Sequence, residues 1–327
     1  MSDHGHNPPQ INLLSKKLSK YFIVKSFSNK INKTLRLFHM ISGVCLNYNR
    51  NTIILIDTYS HYAFYYALIC SILCKILQIK YIPILRGGNL PFRLEKNPFL
   101  SKIIFGNSFH NVTPSIYLEK YFNNHQYKTK YIPNVIEINN YPFQLRTKVY
   151  PQLLWVRSLH KSYNPQMAIE VLAELIKTYP ESKLTMVGPD KDGSVSSCLN
   201  YAKALKVDKN IHFTGKLEKQ EWISFSKKFD IFINTTNYDN MPVSVIEAMA
   251  LGFPIVSTNA GGLKYLLNDS VDSFLVDKND VYEMVKKIDL LINNKVTAKK
   301  LSLNARKRAE TFCWDNVKNT WLNVLKL

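Results

Sequence analysis

Acidic residues are scarce in the first half of this chain. Residues 1–150 carry 5 Asp and Glu against 19 Lys and Arg, a net charge of +14, whereas residues 151–327 carry 19 against 24, a net charge of +5. A basic half points to anionic partners: nucleic acid, anionic lipid headgroups or phosphorylated substrates. A drift of the whole composition toward Lys, Asn, Ile and Tyr is the alternative. Nucleic acid is the weakest of the partners, because the basic residues lack interleaved aromatics in a recognisable motif. Long apolar runs are also missing. The longest uncharged one, Ala63 to Cys74, has twelve residues, short of the roughly twenty that span a bilayer, and reads as a buried helix. The five cysteines, Cys45, Cys70, Cys74, Cys198 and Cys313, form no CxxC pair and no metal-ligand spacing with histidine. They read as reduced, buried thiols of a cytoplasmic protein. The opening Met1 to Pro9 is polar and lacks the apolar core of a secretory signal. These absences predict a cytoplasmic protein, with peripheral attachment to the inner face of the membrane left open.

What is present is an alternating α/β pattern. With 327 residues, 46% of them hydrophobic and 20% charged, the chain suits two globular domains of about 150 residues each. The start departs from a doubly wound domain, which should open on an apolar strand. Residues 1–10 supply only the turn-like Gly5-His6-Asn7-Pro8-Pro9, and Ile11, Leu14, Leu18 and Phe22 then line one helical face. The first strand is expected to be missing. Ile23-Val24 is a candidate short strand, and Lys30 to Leu46 reads as a helix with Leu35, Phe38 and Ile41 inward. Thr52 to Asp57 has the continuous apolar run of a central parallel strand. Helix Ala63–Leu77 and strand Tyr81–Leu85 complete a βαβ unit, which ends in Arg86-Gly87-Gly88. Two glycines there let backbone approach a ligand, and Arg86 could meet phosphate or carboxylate. His110 precedes Val112-Thr113-Pro114-Ser115, with Ser115 placed to cap helix Ile116–Phe122. The Tyr131-Ile132-Pro133-Asn134-Val135 segment leads to a linker over Glu137 to Pro151. The second half repeats strand and helix: Leu153–Val156, Gln166–Tyr179, Lys183–Val187 closing on Gly188, Ile211–Leu217, and Lys219–Phe229.

The most informative stretch runs from Asp230 to Gly262. It reads as strand Ile231–Asn234, a loop, helix Val243–Leu251 closed by Gly252, strand Ile255-Val256 and a Gly261-Gly262 turn. In open α/β sheets, ligands bind beyond the carboxyl ends of the strands. Asp239 and the backbone N–H groups of Asn240, Met241 and Val243, around Pro242, stand at such a place, where a helix N-terminus favours phosphate or hydroxyl oxygen. Glu247 lies eight residues on, where a carboxylate can accept from a vicinal diol. A capping role for Asp239 and a solvated position for Glu247 are the alternatives.

Taken whole, this stretch resembles the C-terminal motif of the family 4 retaining glycosyltransferases, written E-x7-E, then A-M-A-x-G-x-P-V-V and a G-G turn. Asp239 stands at the first Glu position. The resemblance implies a GT-B fold, two Rossmann-like domains facing across a cleft. It divides the chain into an acceptor-binding domain over 1–148, a nucleotide-sugar domain over 149–311 and a final helix over 312–327 that crosses back to the first domain. It implies that Arg157 and Lys161 hold the donor diphosphate, Glu247 the ribose, and Asp239 with the backbone of residues 240–243 the sugar. Gly188, Lys216 and Leu217 would complete the donor site, and Arg86 (where the family commonly has His), Gly87, Gly88 and His110 would lie on the acceptor side. Two fixed cations stabilise the charge that develops on a leaving diphosphate, with no metal or other cofactor. The expected partners are a nucleotide-sugar donor, a saccharide or lipid-linked acceptor, and an anionic membrane surface attracted by residues such as Lys16, Lys17, Lys20 and Lys25. A GT-B nucleotide-sugar epimerase and a catalytically silent nucleotide-sugar binder are the rival functions.

Overall fold

The structure, a computed structural model, describes residues 10–28, 30–49 and 51–326, so the turn expected at Gly5–Pro9 lies outside the described residues. The chain divides into two units, one of Met1–Val135 with Trp314–Leu327 and one of Ile136–Cys313.

The first unit opens on α1 (Gln10–Leu18) and α2 (Lys33–Leu46). It continues through β1 (Ile53–Thr58), α3 (Ala63–Ile76), β2 (Lys80–Leu85), α4 (Leu90–Lys96), α5 (Pro98–Phe105), β3 (Asn111–Thr113), α6 (Ile116–Asn124) and β4 (Thr129–Tyr131). Its four strands are parallel, in the order β1-β2-β3-β4. Side chains along a strand alternate between faces, and the two cores follow that period. Tyr81 and Leu85 of β2 join Phe64, Cys70 and Phe122 on one face, and Ile82 and Ile84 join Leu14 and Leu18 on the other. Ser115 caps α6 by accepting from Leu118 N (3.3 Å).

The second unit contains β5 (Gln152–Val156), α7 (Pro165–Ile176), β6 (Lys183–Val187), α8 (Ser194–Ala204), β7 (Ile211–Gly215), α9 (Lys219–Phe225), β8 (Ile231–Asn234), α10 (Val243–Ala250), β9 (Ile255–Thr258), α11 (Leu263–Leu266), β10 (Phe274–Val276), α12 (Val281–Asn293) and α13 (Lys295–Glu310). Its six parallel strands run β10-β9-β8-β5-β6-β7. Leu153, Trp155, Ile231 and Ile233 face one core, and Leu154 and Phe232 the other. The last helix, α14 (Trp314–Leu325), belongs to the first unit, where Val317, Trp321 and Val324 fill the face lined by Ile84 and Val112.

Several expectations fail for identifiable reasons. Residues 136–148, assigned from sequence to the first domain and its linker, pack within the second unit. Buried Arg146 anchors them, donating to Phe229 O (3.2 Å) and Leu251 O (2.9 Å). Among the described residues the strand expected to be central, β1, pairs only with β2 and forms a sheet edge; an apolar run reports covered faces, not neighbours on both sides. No strand forms at Ile23-Val24. Leu35 and Phe38 point outward, because α2 is apolar nearly all round and packs through Gly43 and Val44 instead. Helix α3 buries Phe64, Ala67, Cys70 and Cys74 but leaves Tyr65, Ile72 and Ile76 exposed. Cys70, Cys74 and Cys198 are buried, whereas Cys45 is exposed and Cys313 half-buried. Among the described residues no helix is long and apolar enough to cross a membrane.

Candidate functional site

Three parallel strands of the second unit, β5, β6 and β7, end side by side, and hydrogen bonds tie their ends together. Arg157 N donates to Val187 O (3.0 Å), Leu159 N to Pro189 O (2.9 Å) and Gly188 N to Gly215 O (2.9 Å). The β5 and β6 ends meet so closely that a Cβ on Gly188 would lie 1.8 Å from Arg157 O. No side chain fits there, which explains the glycine.

The loops that follow β5 and β8 are stapled to each other. Asn237 N donates to Ser162 O (2.9 Å), and Thr235 Oγ1 donates to Asn164 O (2.8 Å) while accepting from the indole of Trp155 (3.0 Å). This brings Arg157 and Asp239 together as an ion pair. The guanidinium also stacks on the Tyr163 ring, 4.5 Å from its centroid. Burial pushes Arg157 below the usual arginine range, the Tyr163 phenol opposing it, and its Nε is buried without a hydrogen-bond partner. Lys161, in the same loop, is exposed. Its backbone N donates to Asp192 (3.1 Å). Asp192 also meets the Ser194 hydroxyl, which with that backbone bond holds its carboxyl below the usual carboxylate range.

Asp239 does not cap α10: Pro242 takes the cap position, with no side-chain bond. The Asp239 carboxylate instead accepts from Asn240 N (2.8 Å). Its carbonyl accepts from Gly262 N (2.9 Å), and a Cβ on Gly262 would lie 1.7 Å from Asn240 O. The glycine pair thus seats the Asp239–Asn240 backbone at the start of α10. Met241 is buried there, and in the first turn Ser244 Oγ is buried with no hydrogen-bond partner.

Glu247 is buried, at 5% exposure, which rules out the solvated position. Tyr141 donates to its Oε1 (2.7 Å) and Lys219 Nζ lies 2.6 Å from the same oxygen, so both contacts fall on Oε1 and neither engages Oε2. Burial, then the Glu247 carboxylate, pushes the Tyr141 phenol far above its ordinary value and keeps it a donor. Lys216 is ion-paired with Glu218, and Leu217 packs against the nearby core.

Tyr141, Tyr163, Lys219 and Asp192 were not among the residues singled out from sequence. Tyr141 sits in a segment with no periodic pattern, 106 residues from its partner, so no local signal marks it. Tyr163 and Lys219 lie beside sequence-identified motifs and were within reach.

In the first unit, Arg86 follows β2 and is clamped at the β1 end. Its Nε donates to Asp57 (2.9 Å) and its NH1 to Asn134 (2.5 Å). It lines a shallow pocket with Leu14, Ile132, Asn134 and Trp321. Gly87 packs on the loop after β1, where a Cβ would lie 2.7 Å from Ser60 N, and Gly88 follows it in the same turn. His110 does not join them. Ile84 pairs with Val112, which sets His110 level with Ile82, about 10 Å short of the strand end at ~3.3 Å per residue. Among the described residues, no three His, Cys, Asp or Glu side chains are grouped to hold a metal ion.

The family profile described as glycosyl transferases group 1 matches residues 138–308, just over half of the chain. A glycosyltransferase of Haemophilus influenzae is 30% identical over 158 residues, 48% of this chain and 44% of that protein. An α-1,4-N-acetyl-D-galactosaminyltransferase of Campylobacter jejuni, named for a diNAcBac-PP-undecaprenol-linked acceptor, is 26% identical over 175 residues, 53% of this chain and 47% of its own length. The chain therefore spans less than half the length of these two relatives. Among solved structures, Anabaena HepE in complex with UDP and glucose matches with a TM-score of 0.80 at 16% identity, over 98% of this chain and 96% of that one. TarM matches with a TM-score of 0.71 at 16% identity, over 89% and 58%. These likenesses show the GT-B fold.

Proposed function

The chain belongs to the glycosyl transferases group 1 family, and from that premise we propose that it transfers a sugar from a nucleoside-diphosphate sugar to a hydroxyl of a saccharide or lipid-linked acceptor, with retention of configuration and without a metal. The observation that carries this reading is the arginine fixed at the β5 end, stacked on Tyr163 and paired with Asp239. Breaking the glycosyl–phosphate bond leaves negative charge on the diphosphate. A preorganised cation there acts most strongly on the transition state. Arg157 and Lys161 offset that charge, and the leaving diphosphate takes the acceptor proton as the new glycosidic bond forms. Glu247 accepts from the ribose hydroxyls through Oε2. Asp239 and the first-turn N–H groups of α10 hold the sugar, with Ser244 Oγ available as a further partner. Gly188, Lys216 and Leu217 border the donor, and Arg86 with Gly87 and Gly88 serve the acceptor.

HepE was solved with UDP and glucose, which supports a nucleotide-sugar donor. The C. jejuni relative's printed acceptor, together with the basic first half of this chain, supports a lipid-linked acceptor at an anionic membrane, on the cytoplasmic side and in cell-envelope saccharide synthesis.

Thermal stabilisation by a panel of nucleotide-sugars identifies the donor, and turnover of that donor then tests the mechanism. Arg157→Ala is expected to lower kcat by about 10²–10³ with a smaller change in KM, as for loss of one preorganised donor to a developing charge. An unchanged kcat would remove the leaving-group role.

A further inference from the structure

The first unit exposes two apolar stripes on neighbouring helices. On α2, Leu35, Phe38, Ser42, Cys45 and Leu46 follow the three-and-four spacing of one helical face, with Phe38 68% and Leu46 82% exposed. On α3 and its cap, Tyr62, Tyr65, Ile69, Ile72 and Ile76 do the same, with Tyr62 71% and Ile76 69% exposed. The helices meet where Tyr66 Oη donates to Lys33 O (3.2 Å) and Lys33 Nζ sits 4.6 Å from the Tyr62 ring centroid. Ile23 and Ile31, in the segment leading into α2, are exposed as well.

The charged residues of α2, of α3 and of the segment leading into α2 have one sign. Residues 4–94 hold twelve Lys and Arg and a single acid, Asp57, and Asp57 is already engaged by Arg86 (2.9 Å). Large exposed apolar side chains flanked by lysine and arginine, with tyrosine among them, match a surface that is apolar at depth and anionic at its boundary. Two copies of this face would bring like charges together, and a nucleic acid would leave the aliphatic side chains in water.

We propose that the α2–α3 face docks on an anionic lipid bilayer. Leu35, Phe38, Leu46 and Ile76 enter the headgroup–acyl boundary, and Lys30, Lys33 and Arg36 meet the lipid phosphates. This docking rests on the membrane half of the proposed function and names the surface responsible.

The test sediments the full chain with vesicles of phosphatidylcholine, alone or mixed with phosphatidylglycerol, in the absence of donor and acceptor. Its failure therefore leaves sugar transfer standing, and failure of transfer leaves docking standing. Binding is expected only with phosphatidylglycerol and weakens as salt rises. Combined Leu35→Ser, Phe38→Ser and Leu46→Ser substitutions are expected to lower the bound fraction at least about tenfold. A polarity-sensitive fluorophore on exposed Cys45 of the parent chain should report an apolar environment when vesicles bind, a readout that stands if the triple variant folds poorly. Equal binding of a folded variant and the parent, or a Cys45 probe that stays in water while the chain sediments, overturns the insertion. So does a self-associated chain that the triple variant dissociates and that binds no vesicles, which would assign the face to a second copy.

Discussion

Glu247 and Tyr141 should behave as one energetic unit. Tyr141, 3% exposed, donates to Glu247 Oε1 at 2.7 Å. Hydrogen bonds to a charged group contribute about 1.5–3 kcal/mol, and orphaning a buried polar group costs about 1–3 kcal/mol. Tyr141→Phe removes the donor but leaves Lys219 on the carboxylate, so a loss of about 1.5–2 kcal/mol is expected. Glu247→Ala leaves the phenol without a partner and should cost about 2–4 kcal/mol. Lys219, 43% exposed, regains water and adds little. The double substitution loses this hydrogen bond once, not twice. It should therefore be about 1–2 kcal/mol less destabilised than the sum of the single variants. In a domain of this size that coupling corresponds to about 2–8 °C in melting temperature. The assay is thermal unfolding of the parent, both single variants and the double variant in one buffer. Strict additivity would refute the shared bond and leave Tyr141 as packing alone.

Two more outcomes follow from the site's geometry. Gly262→Ala puts a Cβ 1.7 Å from Asn240 O, so the Asp239–Asn240 backbone must move. A stability loss of about 1–3 kcal/mol is expected, with loss of the stabilisation that a nucleotide-sugar gives the parent; a variant stabilised as well as the parent would show that this backbone does not hold the donor. The Ser194 hydroxyl lowers the Asp192 carboxyl relative to its ordinary value, so its contribution is complete above about pH 4 and is lost as pH falls through the lower, folded value. The melting-temperature gap between the parent and Asp192→Asn should therefore be widest near neutrality and close in strong acid, whereas a gap independent of pH would contradict the assignment.

Much of the second unit was legible because its signals are local. Continuous apolar runs marked β5, β6 and β8, which are buried on both faces, and α10 was bounded by Pro242 and Gly252, whose backbone demands show in the sequence. The carboxylates Asp239 and Glu247 were found by their spacing along one loop and helix. Their pairings were not, since Arg157, itself identified from sequence, and Tyr141 and Lys219, which were not, reach them only through the tertiary fold, and the β5–β8 staple depends on strand order. The first unit was harder for a different reason. Helices α2 and α3 are apolar nearly all round, so periodicity could not choose which face turns inward. Likewise β1 carries the apolar run of an interior strand yet, among the described residues, pairs on one side only. The segment 136–148 looks like a linker because its hold on the second unit comes from isolated side chains, Arg146 and Tyr141, and not from a repeating pattern.

The ion pairs also constrain how a donor would be received. Arg157 is met by Asp239, Glu247 by Lys219, Lys216 by Glu218, and His160 lies 3.6 Å from Asp192. Among the described residues of these loops, neither Lys161 nor Lys191 is ion-paired with a carboxylate, and Lys161 is the one that follows β5 beside Arg157. A diphosphate approaching the site would first meet Lys161 and the first-turn N–H groups of α10, and it gains Arg157 only by displacing Asp239. That exchange has a physical rationale. A guanidinium buried on Tyr163 with no counter-charge would be costly, and Asp239 offsets that cost as its counter-ion. Once the diphosphate takes its place, the freed carboxylate stands where a sugar hydroxyl would need an acceptor. On the proposed function, one residue would then act as a counter-ion to Arg157 before donor binding and as a sugar ligand after it.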